Sequence, residues 1–248
     1  MESLGLLSSK LTNILGLKRS PVAIKFIPQG EPLPQGFASP EGVRYCQILM
    51  KASEGESVLL TPEHIACPAS AAALGFKLLP DKLQSGEMLA AYGIFASREA
   101  GQNTLRTMPR LPMGQYQVVA ACPLADAPYN PDVVVLESVP EHLMWIALAH
   151  VRTTGGRLNF STGILQATCV DGTILPFLEQ RMNASLGCYG CREATNMSES
   201  ECILGFPARY LADIVGQLEE LQVKSLPRVR GKAVFQALER RTQSSQEG

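Results

Sequence analysis

Seven cysteines stand in this chain of 248 residues: Cys46, Cys67, Cys122, Cys169, Cys188, Cys191 and Cys202. Thiolates are soft metal ligands and the nucleophiles of disulfide exchange. An odd number in a reduced compartment argues against a disulfide framework, and seven is many for small core residues alone. Two of them form a CxxC, Cys188-Tyr189-Gly190-Cys191, with Cys202 eleven positions later. A CxxC supplies two metal thiolates, a redox dithiol, or nothing. A redox dithiol sits at a helix N-terminus, where the dipole lowers a thiol pKa. Gly187 and Gly190 instead read as an open loop that wraps a ligand closely. A second CxxC would signal zinc and is absent, and His64, His142 and His150 stand at no zinc-finger spacing.

The other cysteines sit singly at the edges of predicted elements. Thiolates dispersed over several loops suit an iron–sulfur cluster that the fold itself assembles. The competing reading is that free cysteines are small buried hydrophobes. It fits Cys122, which follows Val118-Val119-Ala120-Ala121, and Cys202, which alternates with strand residues. Arg44 near Cys46 and Arg192 beside Cys191 would set cations next to thiolates or an anionic ligand. Glu199 and Glu201 read as exposed charges before a strand. No phosphate loop, dinucleotide fingerprint or nucleophile elbow occurs.

These residues need elements to hold them. Apolar spacing predicts a helix over 4–17 closed by Gly16, a buried strand over 21–27 and a loop over 28–40. A helix over 44–52 carries Cys46, and a short strand covers 57–60. Cys67-Pro68 opens a helix that Gly75 closes, and one further helix covers 81–96. Strands follow at 116–122 and 132–138, then a helix at 140–152 with Pro140 in its first turn. Residues 162–169 read as a strand, 172–181 as helical or mixed, and 186–192 as irregular. A strand at 201–206 ends at Pro207. An amphipathic helix at 207–221 sets Leu211, Ile214, Val215, Leu218 and Leu221 on one face.

Alternating strands and helices predict an α/β or α+β fold: a mixed sheet with flanking helices and a cysteine-rich C-terminal third. Residues 1–225 read as a single domain. Residues 226–248 read as a basic C-terminal helix or tail, with Arg228, Arg230, Lys232, Arg240 and Arg241 in solvent. Hydrophobic residues at 46% and charged residues at 18% indicate a packed core rather than disorder. A net charge of −1 gives no reason for a nucleic-acid partner. No stretch reaches the roughly 18 apolar residues of a membrane helix. No basic region precedes an apolar one at the N-terminus, so a cytoplasmic address is expected.

Together these residues resemble a known family, the bacterial and archaeal proteins grouped as domain of unknown function number 169. The resemblance runs from about Leu4 to Leu221. It rests on Pro21-Val22-Ala23-Ile24-Lys25, Arg44-Tyr45-Cys46-Gln47, Cys67-Pro68 with Leu74-Gly75, and Pro131-Asp132-Val133-Val134. It continues in Gly187-Cys188-Tyr189-Gly190 with Arg192, and in Glu201 leading to Gly205-Phe206-Pro207. It implies that Cys46, Cys67, Cys169 and Cys188 occupy the family's cysteine positions, whereas Cys122 and Cys191 belong to this sequence. Those four are then the expected ligands of a cluster, of the four-iron, four-sulfide type, with Arg44, Gly187, Gly190 and Arg192 around it. The expected partner is an electron-transfer protein or a small-molecule substrate. Two alternatives remain open: a module that grips a metal ion or metalloid without catalysis, and a thiol–disulfide protein using Cys188 and Cys191.

Overall fold

A computed structural model describes residues 2–244, with side chains through Arg240; Arg241's side chain and residues 245–248 of the basic tail lie outside the described residues. Helix α1 (Leu4–Leu15), capped by Ser3, leads to strand β1 (Val22–Pro28). Helix α2 (Tyr45–Ser53), strand β2 (Val58–Leu60) and helix α3 (Pro68–Ala73) follow. Then come the short helices α4 (Asp81–Gln84), α5 (Glu87–Ala91) and α6 (Arg98–Arg106), and strand β3 (Tyr116–Pro123). Strand β4 (Val133–Ser138) and helix α7 (Pro140–Val151) precede a π-helix, Ala167–Ile174, which runs into α8 (Leu175–Glu179). The chain ends with β5 (Asn183–Ser185), α9 (Tyr189–Ala194), β6 (Cys202–Pro207), α10 (Leu211–Arg230) and α11 (Ala233–Ser244).

The six strands form one sheet in the order β2-β3-β1-β4-β6-β5, and every ladder is antiparallel. The fold is therefore α+β. Side chains alternate across this sheet. Ile24, Phe26, Val119, Ala121, Val133, Val135 and Ile203 point to one apolar layer, built with α2, α3 and the π-helix. Ala23, Cys122, Val134, Leu136, Leu204 and Phe206 point to the other, built with α1, α7 and α10. The predicted amphipathic face of α10 is buried in this second layer.

Three expectations are corrected. The helix expected over 81–96 is two helices, because Gly86 adopts a left-handed φ of 75°. A Cβ there would also lie 2.0 Å from the Arg98 carbonyl oxygen, so α5 turns to pack on α6. The strand expected over 162–169 does not form. Ile164 and Gln166 take positive φ values of 56° and 58°, and the chain then winds into the π-helix. The stretch read as irregular, 186–192, contains the start of α9. In the basic tail, Arg228, Arg230, Lys232 and Arg240 are exposed, and Arg230 also donates to the Leu15 carbonyl at 2.8 Å. No helix among the described residues is long and apolar enough to cross a membrane.

One buried carboxyl sets a pH response. Glu137, at the end of β4, meets Arg19 at 3.2 Å through Oε2, while its Oε1 has no hydrogen-bond partner. Burial therefore outweighs the Arg19 charge and pushes Glu137 up to about 7. A carboxyl raised in the fold binds its proton more tightly there than in the unfolded chain. Its stabilising contribution is complete below the ordinary carboxylate range and is lost as pH rises through about 7. Thermal stability should thus fall between pH 5 and 8, and Glu137→Gln should flatten that slope. Melting curves across the range decide; an unchanged slope in the variant would sink the assignment.

Candidate metal centre

Backbone and side-chain ties draw four cysteine-bearing segments together. A parallel bridge between Val43 and Ile65 sets the start of α2 beside the approach to α3, with Ala66 N–H donating to the Val43 carbonyl at 2.9 Å. Cys46 lies in the first turn of α2, and Cys67 is the N-cap of α3 ahead of Pro68. From the same turn of α2, Gln47 Nε2 donates to the Ala194 carbonyl at 3.1 Å. Arg44 Nη1 donates to the Gly190 carbonyl at 3.3 Å and to Glu193 Oε2 at 3.0 Å. These bonds lace α2 to α9, whose N-cap is Cys188.

Cys169 sits in the π-helix, and Ser70 Oγ of α3 donates to its sulfur at 3.2 Å. π-Helical turns are rare and often mark functional sites. Here Asp171 anchors the turn: its Oδ2 accepts from Thr162 Oγ1 at 2.6 Å and from Ser185 Oγ at 2.9 Å. The π-helix presses on the sheet through a glycine pair. A Cβ on Gly205 of β6 would fall 1.7 Å from the Gly172 carbonyl oxygen.

All four cysteines line a single cavity of ≈ 240 Å³, together with Arg44, Gly190 and Cys191. Apolar lining also comes from α4, α5 and the segment after them, with Leu83, Met88, Leu89, Tyr92 and Ile94. The sulfurs act on one another. Burial pushes Cys46 up to about 12, and the neighbouring Cys188 and Cys67 charges add to the rise. Burial also drives Cys169 well above the usual thiol range, with Cys67 next in effect and the Ser70 hydrogen bond opposing. Cys188 goes the other way. A hydrogen bond from the Cys191 thiol, with the amides of Ala167, Cys191 and Gly190, holds it below that range despite burial. Cys191, the donor in that pair, is raised.

Among the described residues, no group of three or more His, Cys, Asp and Glu side chains is gathered tightly enough for one metal ion. A single tetrahedral ion with metal–sulfur bonds of about 2.3 Å needs its sulfurs within about 4 Å of one another. A cluster carries its thiolates on separate irons and spreads them wider. Here four thiols from four elements line one cavity.

Of the expected site residues, Arg44, Cys46, Cys67, Cys169, Cys188 and Gly190 meet at the cavity. A Cβ on Gly190 would meet only Arg44 Nη1 at 4.0 Å, so no protein atom crowds its bare face. Gly187 and Arg192 are not among the lining residues. Arg192 spends its guanidinium on the carbonyls of Leu186, Ser198 and Glu201 and packs over Gly187, whose φ is 93°. Cys122 and Cys202 lie with the layer on the sheet's other face. Sequence reasoning missed Ser70, Gln166 and Thr168. Ser70 carried a signal, three residues after Cys67 on one helical turn. Thr168 lines the cavity with a buried hydroxyl that has no partner, and nothing in the sequence distinguishes it.

The molecule is thus an α+β protein that gathers dispersed cysteines at a cavity on one face of an antiparallel sheet. The chain belongs to the family DUF169, described as "Uncharacterised ArCR", which matches residues 10–217. It is 27% identical over 218 residues to the uncharacterized protein MJ0308 of Methanocaldococcus jannaschii, covering 87% of this chain and 93% of that one. No solved structure matches.

Proposed function

We propose that Cys46, Cys67, Cys169 and Cys188 hold an iron–sulfur cluster, of the four-iron, four-sulfide type. The observation that carries this reading is that four cysteines from four separate elements line one cavity. Such a cluster supplies electron transfer when four thiolates saturate it, and a Lewis-acidic iron when only three bind. The protein's own part is to fix those thiols on helix starts and the π-helix. Arg44 sets a positive charge beside them, and Gly190 keeps the backbone open on the cavity side. The Ser70 hydroxyl and the amides of Ala167, Gly190 and Cys191 donate to sulfur, which stabilises thiolate over thiol. The outlet for the chemistry is an electron-transfer partner or a small substrate held against the apolar wall of Leu83, Met88, Tyr92 and Ile94.

Anaerobic purification, or reconstitution with ferrous iron and sulfide, tests the reading. The expected product is brown, with broad visible absorbance and iron and sulfide in near-equal amounts. Protein that stays colourless and takes up neither ends it. Uptake of one zinc ion per chain would instead support a module that grips a single metal.

A thiol–disulfide role is the second reading, and one observation favours it. Cys188 is the N-cap of α9 and Cys191 lies buried in the same first turn, the placement of a redox dithiol. Disulfide reductase activity that requires both cysteines, in protein without iron, would put this reading first.

A further inference from the structure

We propose that the Cys188–Cys191 turn is a site of reversible oxidation, and that its disulfide and the cluster are alternative states of one loop. The proposal rests on the cluster reading for the ligand role of Cys188. Both thiols are free and both line the cavity. They cap one another: Cys191 N–H donates to Cys188 Sγ at 3.4 Å, and Cys188 N–H donates to Cys191 Sγ at 3.0 Å. The Cys191 thiol also reaches the Cys188 carbonyl at 3.1 Å. Each sulfur is thereby folded back over the same helical turn, toward the other. Residues three apart on a helix set their Cβ atoms about 5–6 Å apart, and a disulfide needs about 3.5–4.5 Å. Cys188 is the N-cap, with an extended backbone at φ −136° and ψ 165°, so a torsional adjustment outside the helix closes the gap. Cys191 Sγ also meets Met197 Sδ at 3.9 Å, which cannot form such a bond.

The oxidant is a hydroperoxide, with hydrogen peroxide as its simplest member. The Cys188 sulfur attacks one peroxide oxygen, the O–O bond breaks, and Cys188 becomes a sulfenic acid as the first water leaves. Cys191 then attacks the sulfenyl sulfur. An S–S bond forms, the S–O bond breaks, and the hydroxyl leaves with the thiol proton as a second water. Two electrons pass from the two sulfurs to the peroxide, and both thiol protons end in water. A neighbouring thiol in this position also stops Cys188 from advancing to the irreversible sulfinic acid. While the disulfide stands, Cys188 has no thiolate to give to iron, and a cluster-bound Cys188 cannot enter the disulfide.

Cleavage after Arg181 and Arg192 releases Met182–Arg192, a peptide that holds Cys188 and Cys191 and no other cysteine. Full-length metal-free protein is treated with equimolar hydrogen peroxide and the peptide is weighed. Half of each sample is then reconstituted with ferrous iron and sulfide, and the peptide is weighed again at the end, because sulfide itself reduces disulfides. The expected result is a loss of two hydrogens in the peptide and roughly tenfold less iron uptake by the fraction that stays oxidised. Dithiothreitol should restore both, and in Cys191→Ser, which leaves Cys188 without a partner thiol, the same treatment should produce no disulfide in the corresponding peptide. A peptide that remains dithiol, pairs elsewhere or goes to sulfinic acid overturns the proposal. So does a persistent disulfide with undiminished loading. If fully reduced wild-type protein takes up no iron or sulfide, the cluster reading fails and the exclusivity with it. A disulfide found in the peptide under those conditions supports the dithiol role instead.

Discussion

Cys188→Ser should abolish iron and sulfide loading, while Cys191→Ser in reduced protein keeps most of it. Cys188 is the N-cap whose sulfur accepts from the Cys191 amide and lines the same cavity as Cys46 and Cys169. Serine preserves a cap and its hydrogen bonds but offers iron a poor ligand. The loss should exceed the about 10–100-fold that follows from removing a group behind a ligand. Cys46→Ser and Cys67→Ser should behave likewise. Cys122→Ala should leave loading intact and cost only packing, since Cys122 is fully buried on the far side of the sheet. Iron and sulfide analysis of anaerobic samples, normalised to folded protein by circular dichroism, reads the series. If Cys188→Ser loads like wild type, the ligand set is wrong.

Gly205→Ala should be among the most destabilising single substitutions in the chain. Its Cβ would stand 1.7 Å from the Gly172 carbonyl oxygen and 2.6 Å from the carbonyl carbon, so backbone must move. Gly205 pairs with Val135 on one side and Asn183 on the other, which leaves β6 no room to retreat. Overpacking of this kind costs about 1–3 kcal/mol or more, and each kcal/mol lowers the melting temperature by about 2–4 °C in a domain of this size. The displaced element is the π-helix, so surviving protein should also load iron poorly. Gly216→Ala is the control. Gly216 lies in α10 with a normal helical φ and nothing within 4 Å of its added Cβ. That change should raise stability by about 0.5–1 kcal/mol. Equal melting temperatures for the two variants would contradict the close approach of β6 and the π-helix.

Much of this architecture was legible in the residues. Runs such as Val118–Ala121 and Val133–Leu136 could only be buried strands, and the α10 stripe of Leu211, Ile214, Val215, Leu218 and Leu221 declared its face. The failures share a cause. Residues 162–169 carry apolar residues that suit a strand, yet Asp171, Thr162 and Ser185 hydrogen-bond to one another and wind the chain instead. No local propensity encodes a bond to a side chain many positions away. Around Cys188, two glycines suggested irregular backbone. The reciprocal bonds of Cys188 and Cys191 supply the cap that lets a short helix start there. The roles of Arg44 and Arg192 were indistinguishable in sequence. One lines the cavity and the other ties loop carbonyls together, a difference that only the path of the chain decides.

The cavity also sets a timetable for biosynthesis. The first of the four proposed ligands, Cys46, precedes the last, Cys188, by 142 positions. At about 5–20 residues per second, a ribosome takes about 7–30 s to add the residues between them. Throughout that interval the nascent chain carries Cys46 and Cys67 without α9 to oppose them, so they stand as unprotected thiols on incomplete sheet. Any metal delivered early would meet an open, partial ligand set. On the proposed cluster reading, delivery waits for the last third of the chain, and a truncation before Cys188 should yield a protein that never acquires colour at all.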